Sequence, residues 1–243
     1  MVKRAIHRIS PSGLISEYDD LAEEVIISIY NGDETVVRIL ASPIDLKELA
    51  IGHIACEGRG NISSISVEGN SLYLDGAITK RPKEDLLTAA CGACSEGDIS
   101  IPDTIVTNNV RLIVKPSELI DSMNKCQIRF EKTGGVHASG LFSPDGVMLS
   151  MKEDIGRHNT VDKVVGAAIM MNQNPSEYVL VLSGRMGWEL VAKAARIGIE
   201  IVVSVGAISS AAADLGRACG MTLIGFAREN TGVVIGDTNR IGW

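Results

Sequence analysis

Aromatic residues are scarce, Trp, Tyr and Phe together making up 4% of the 243 residues. The core must be built from Val, Ile, Leu and Ala, which suits buried parallel strands flanked by helices better than an aromatic-rich sandwich. Positive charge is also short. A formal net charge of −7 argues against broad binding to nucleic acid or to an anionic membrane, so an anionic ligand needs a local cluster of basic residues. Glu200 and Asp214 interrupt the most apolar stretches, leaving none near the roughly 18 residues of a membrane span. No apolar segment follows Met1-Val2-Lys3-Arg4, so no secretory leader is read there. The five cysteines are odd in number and include one close pair. That disfavours a disulfide scaffold and favours a reducing, cytoplasmic setting.

Familiar ligand fingerprints are missing too. No G-x-G-x-x-G and no G-x-x-x-x-G-K-[ST] occurs, which leaves a dinucleotide fold or a P-loop without support. A second C-x-x-C is absent, so a structural zinc site would have to recruit its remaining ligands from distant residues. The H-x-E partner of a zinc deaminase is absent upstream of the cysteine pair.

What is present divides into two parts, residues 1–112 and residues 113–243. In the first, residues 24–30 and 34–40 read as a β-hairpin turned by Asn31-Gly32. A helix is expected over 45–56 and a second strand pair over 62–67 and 71–74, turned by Gly69-Asn70. In the second part, a helix is expected from Pro116 to Phe130. A hairpin follows over 136–142 and 147–151, and then a helix that Asn159 can cap. Strands at 178–182, 200–205 and 222–226 then alternate with helices near 188–196 and 211–219. This rhythm predicts an α/β fold with a β-rich N-terminal part. Cys56, Cys126 and Cys219 fall on apolar helical faces and read as core residues.

Two features carry chemistry. Cys91-Gly92-Ala93-Cys94 sets two thiols close enough to share a proton, a disulfide, a metal or a transferred sulfur atom. Small residues between them leave room for a large partner. Lys80, Arg81 and Lys83 favour the thiolate, while Glu96 and Asp98 oppose it. The second feature is a set of loops at expected strand ends or helix starts. Gly156-Arg157-His158-Asn159, Ser183-Gly184-Arg185 and Gly206 to Ser209-Ser210 each precede a helix, whose free N–H groups suit phosphates. Ligands of open α/β sheets gather at the carboxyl ends of strands, and Arg157, Arg185 and Arg228 would supply the positive charge. Neither His137 nor His158 is read as a general acid–base group, and His158 counts with Arg157, Ser183, Gly184, Arg185, Ser209 and Ser210 among the expected ligand contacts.

These strings, in this order, resemble the formate dehydrogenase accessory sulfurtransferase family, FdhD. The matching blocks begin with Ser42-Pro43, Leu49-Ala50-Ile51-Gly52-His53 and Glu57-Gly58, then the cysteine pair. Thr133-Gly134-Gly135-Val136-His137-Ala138 follows, and then Glu153-Asp154-Ile155-Gly156-Arg157-His158-Asn159 with Val161-Asp162-Lys163. Ser183-Gly184-Arg185, Glu189-Leu190-Val191, Lys193-Ala194-Ala195, Ser209-Ser210 and Leu223 to Arg228 complete them. Ser95 stands where the family usually has glycine.

The resemblance implies a sulfur carrier with Cys91 as the persulfide position and Cys94 as its partner. Sulfur would pass from a cysteine desulfurase to a molybdenum or tungsten bis(molybdopterin guanine dinucleotide) cofactor, bound as substrate, before insertion into the formate dehydrogenase catalytic subunit. Cofactor contacts would fall on Phe226, Ala227, Arg228, Glu229, Asn230 and Thr231. It also implies a three-layer α/β/α sandwich similar to cytidine deaminases, and a homodimer. Two other function classes stay open on the residues alone: a cofactor-binding chaperone that moves no sulfur, and a zinc-binding, deaminase-like protein.

Overall fold

A computed structural model describes residues 1–79, 105–107, 109–229 and 231–242. The Cys91–Cys94 pair and Asn230 lie outside the described residues.

β1 (Val2–Ser10) and β2 (Gly13–Leu21) form a two-stranded antiparallel ribbon, an element that the sequence pattern did not suggest. Next comes a four-stranded sheet of β3 (Val25–Asn31), β4 (Glu34–Ala41), β5 (Gly60–Glu68) and β6 (Ser71–Ile78), in the order β4-β3-β6-β5. Gly32 takes φ 59° in the expected Asn-Gly turn between β3 and β4, a conformation that glycine adopts without a Cβ penalty. α1 (Leu46–Cys56) covers one face, where Leu49, Ala50 and Ile54 pack on Ile27, Ile29, Leu72 and Leu74.

The second sheet has six strands: β7 (His137–Phe142), β8 (Met148–Asp154), β9 (Val179–Leu182), β10 (Ile201–Ser204), β11 (Thr222–Arg228) and β12 (Thr231–Gly236). Their order is β12-β11-β10-β9-β7-β8. β9, β10 and β11 run parallel, with antiparallel strands on both flanks. The three parallel strands are apolar on both faces, and both faces are covered. On one, Leu180, Leu182, Val202 and Leu223 meet α4 (Arg157–Met170), α5 (Trp188–Ile197) and α6 (Ser210–Ala218). On the other, Val179, Val181, Ile201 and Val203 meet Leu119, Ile120 and Met123 of α2 (Pro116–Asn124).

The two sheets are joined where α1 crosses α4 with their backbones in contact. A Cβ on Gly52 would stand 1.7 Å from the Asp162 carbonyl oxygen, and one on Gly166 would stand 2.0 Å from that of Glu48. Only glycine allows this approach in a close-packed interior.

Three expectations need correction. The helix expected from Pro116 to Phe130 breaks into α2 and the short α3 (Ile128–Thr133), and half-buried Cys126 sits in the break rather than on a core face. Asn159 does not cap α4. The helix starts at Arg157 behind Gly156, and the Asn159 amide instead donates to the Leu40 carbonyl and to Asp154, both at 2.8 Å. β12 follows β11 directly, where no strand was expected. Cys56 and Cys219 are buried as anticipated. No helix among the described residues is long and apolar enough to cross a membrane.

Candidate functional site

The parallel strands point their carboxyl ends at one rim, and the three loops leaving them interlock. Ser204 at the end of β10 donates its hydroxyl proton to the Gly184 carbonyl and accepts from Gly206 N–H at 3.0 Å. Met186 N–H donates to Ala207 O at 2.9 Å, Ser209 N–H to Met186 O at 3.0 Å, and Phe226 N–H to Gly206 O at 2.9 Å. A Cβ on Gly206 would stand 2.9 Å from the Arg185 backbone, so the loops touch main chain to main chain. β11 leaves its ladder through a register shift between Gly225 and Arg228, and Phe226 there takes φ 49° with the residue 45% exposed. A left-handed aromatic costs about 1–3 kcal/mol, and such strain concentrates at ligand sites.

Within this rim the side chains divide into supports and free cations. Ser183 ties β9 to β7, its Oγ accepting from Ala138 N–H at 2.8 Å. Ser209 caps α6 by accepting from Ala212 N–H at 3.2 Å, and Ser210 is the exposed first residue of that helix. Both Ser183 and Ser209 are therefore occupied within the fold. Arg157 is half-buried at the start of α4, while Arg185 and Arg228 are exposed. Among the described residues none of the three guanidinium groups has a hydrogen-bond or ion-pair partner. Ala227 is buried toward α2, Glu229 is exposed beside Arg228, and Thr231 pairs opposite Arg228 as β12 begins.

His158 Nε2 lies 2.7 Å from the Glu189 carboxylate in the first turn of α5. His137, at the start of β7, sits beneath Gly184, whose Cβ position is 3.3 Å from the imidazole Nδ1. Burial lowers the His137 pKa below 6.5, and the nearby Arg157 and His158 lower it further against the opposing pull of Asp154. It is consequently a neutral imidazole at pH 7.

Two adjoining clefts open on the α2 side of the rim and share Val205. One, of about 360 Å³, is lined by Asn124, Gln127, Phe130, His137 and Ser183. The other, of about 660 Å³, is lined by Lys115, Glu118, Asp121, Arg228 and Glu229. Asn124 and Gln127 bring amides and Phe130 an aromatic ring to the first, while the second carries Lys115 and Arg228 among the carboxylates of Glu118, Asp121 and Glu229.

The string from Glu153 to Lys163 turns out to be mostly internal fastening. The Glu153 carboxylate accepts from the Arg129 and Phe130 N–H groups at 3.0 and 2.8 Å, fixing α3 against β8. Asp154 accepts from Ser42 N–H at 3.0 Å, Gly156 N–H at 2.8 Å and Lys163 Nζ at 2.5 Å. Asp162 accepts from Lys193 Nζ at 2.7 Å and lies 3.2 Å from His53 Nδ1. That leaves Arg157 and His158, both close enough to His137 to act on it electrostatically, outside this fastening. Glu189, Phe130, Asn124, Gln127 and Lys115 were not singled out as site residues. The two glycines after Thr133 were the available signal, since they end α3 against the first cleft. The candidate sulfur site at Cys91 and Cys94, and the candidate contact Asn230, fall outside the described residues.

Comparison with known proteins agrees with the pattern of strings. Residues 22–242 match the FdhD/NarQ family. The chain is 33% identical over 270 residues to the sulfur carrier protein FdhD of Nocardia farcinica, covering 98% of this chain and 94% of that one. It is 36% identical over 254 residues to the sulfur carrier protein FdhD of Thermoplasma acidophilum, covering 93% and 88%. Among solved structures, a formate dehydrogenase accessory protein from Desulfotalea psychrophila superposes with a TM-score of 0.81 at 25% identity, covering 99% of this chain and 98% of that one.

Proposed function

Because the chain belongs to the FdhD/NarQ family, we propose that it is a sulfur carrier that serves the maturation of formate dehydrogenase. The observation that carries the reading is that Arg157, Arg185 and Arg228, on loops at the strand-end rim, have no partner among the described residues, and that Arg228 lines one of the two clefts. In an acidic chain, such a cluster supports the binding of a dinucleotide with several phosphates.

In this reading residues 1–112 bring the sulfur and residues 113–243 hold its acceptor. The Cys91 thiolate attacks the sulfane sulfur of a cysteine desulfurase persulfide. The donor S–S bond breaks, the desulfurase cysteine leaves as thiolate, and Cys91 keeps the terminal sulfur as Sγ–S⁻. The Cys94 thiolate then attacks Cys91 Sγ. A Cys91–Cys94 disulfide forms, and the terminal sulfur leaves as sulfide, carrying the bonding pair to the metal of the substrate. A cellular dithiol reduces the disulfide and resets the carrier. The substrate is the molybdenum or tungsten bis(molybdopterin guanine dinucleotide), and the recipient of the sulfurated product is the formate dehydrogenase catalytic subunit. The arginines take the phosphates, and Phe226, from the string extending to Thr231, offers its exposed ring to a heterocycle.

A cytoplasmic setting accords with a thiol that must stay reduced. Helices on both faces of the six-stranded sheet support the three-layer, cytidine deaminase-like class. Restoring formate dehydrogenase activity in cells that lack their own accessory protein tests the proposal. The wild-type chain should restore activity and Cys91→Ala should not. Full restoration by Cys91→Ala would favour a cofactor chaperone that moves no sulfur.

A further inference from the structure

His137 opens β7 at the rim, half-buried and with no hydrogen-bond partner among the described residues. It lines the cleft of about 360 Å³ together with Ser183, Asn124, Gln127 and Phe130. The ring lies under Gly184, where a Cβ would stand 3.3 Å from Nδ1 and 3.5 Å from Cε1. Glycine there keeps a side chain off the imidazole. Alternation along β7 sets His137 and Ser139 on one face of the strand. The Ser139 hydroxyl lies 2.6 Å from that of Thr160, which donates to the Arg157 carbonyl at 2.7 Å. This chain fastens the start of β7 to the first turn of α4, where Arg157 and His158 stand. The free N–H groups of a helix N-terminus add positive potential there. Asp154, the residue opposite His137 in the β7–β8 ladder, is engaged by Lys163, Ser42 and Gly156. Glu189 is held by His158. Among the described residues, the imidazole therefore sits in a corner with positive groups around it and both nearby carboxylates already committed.

We propose, on the reading of this rim as a phosphate-binding site, that His137 clasps an anionic phosphate of the ligand as an imidazolium, its proton arriving from solvent as the phosphate docks. In the empty site the ring is neutral, because burial and the neighbouring Arg157 and His158 oppose a further positive charge. A docked phosphate reverses that balance, since its negative charge among these groups favours the charged ring. The imidazolium then donates a charge-assisted hydrogen bond to it. The bound state holds one proton more than the free state, so binding tightens as pH falls and weakens as pH rises. His137 is accordingly a specificity residue, responding to an anion and not to an uncharged heterocycle.

Calorimetric titration of the full chain with diguanosine pyrophosphate, a diester with no phosphate that ionises near neutrality, tests the proposal. Repeating it in buffers of different ionisation enthalpy counts the protons. The wild type should take up about half a proton or more at about pH 6.5, and its dissociation constant should fall at least about threefold from about pH 8 to about pH 6. His137→Gln should take up none and lose the pH dependence. His158→Gln should still take up a proton, which assigns the uptake to His137. Proton magnetic resonance of the wild type reads the same event without a variant. Among its four histidines, the His137 ring should become protonated when the probe is added near neutral pH. Binding without proton uptake, uptake that survives His137→Gln, or a His137 resonance unmoved by the probe would overturn the proposal and leave the phosphate-site reading standing. A wild type that does not bind the probe would overturn both.

Discussion

Lys193 Nζ donates to Asp162 Oδ1 at 2.7 Å with both side chains almost closed to solvent, and this bond fastens α5 to α4. Glu57 at the end of α1 accepts from the same ammonium at 2.8 Å. One cation thus ties together the three helices that back the ligand rim.

Replacing Lys193 with Met should strip the buried Asp162 and the half-buried Glu57 carboxylates of their counter-charge. The expected cost is about 3–5 kcal/mol, the range for breaking one side of a buried ion pair. Urea unfolding of wild type and variant measures it, and a loss below about 1 kcal/mol would mean that solvent reaches the site.

The same cluster sets the acid limit of the fold. Burial pushes the Glu57 carboxyl up, but Lys193, His53 and Arg196 outweigh it and hold the group at about 2 rather than 4.5. The Asp162 carboxyl is lowered as well, Lys193 and His53 overcoming its burial. Both groups bind fewer protons folded than unfolded in this window, so their stabilisation is complete above about pH 4.5 and falls away toward pH 2. Urea midpoints taken down that range should drop steeply for wild type, and with a shallower slope for Lys193→Met.

Gly52 supplies a purely steric test. Gly52→Ala would drive its methyl into the Asp162 carbonyl, a backbone group that cannot rotate away. Destabilisation of about 3 kcal/mol or more is expected from such overpacking. Thermal unfolding reads it, and an unchanged midpoint would show that α1 and α4 can separate without loss.

Arg185 and Arg228 should matter for ligand and hardly at all for stability, since neither has a partner within the described fold. Each change to Ala should weaken guanosine diphosphate binding about tenfold, the scale of one charge-assisted hydrogen bond, and should reduce its salt dependence. Calorimetric titration measures both, with the thermal midpoint expected to stay in place.

Much of this architecture was legible where local chemistry and tertiary packing agree. Asn31-Gly32 between two β-branched runs announced the β3–β4 hairpin, and the all-apolar β9 and β10 announced strands covered on both faces. The ribbon was not legible because its apolar residues face solvent rather than a core. The break at Cys126 carries neither Gly nor Pro, and the bonds from Glu153 to the Arg129 and Phe130 backbone that fix the new helix join residues far apart in sequence. At the site, Arg157, Arg185 and Arg228 were recognisable from their loops. Glu189 was not, because His158 reaches it only once α4 and α5 lie side by side. The fastening role of Asp154 and Asp162 was hidden for the same reason, as Ser42, His53 and Lys193 come to them from other elements.

The most direct measurement is mass spectrometry of the intact chain and its peptides after incubation with a cysteine desulfurase and cysteine. The account predicts one added sulfur atom on the Cys91 peptide, removed by a thiol reductant, absent in Cys91→Ser and retained in Cys94→Ser. A Cys91 peptide that stays unmodified while the desulfurase itself is loaded would contradict it.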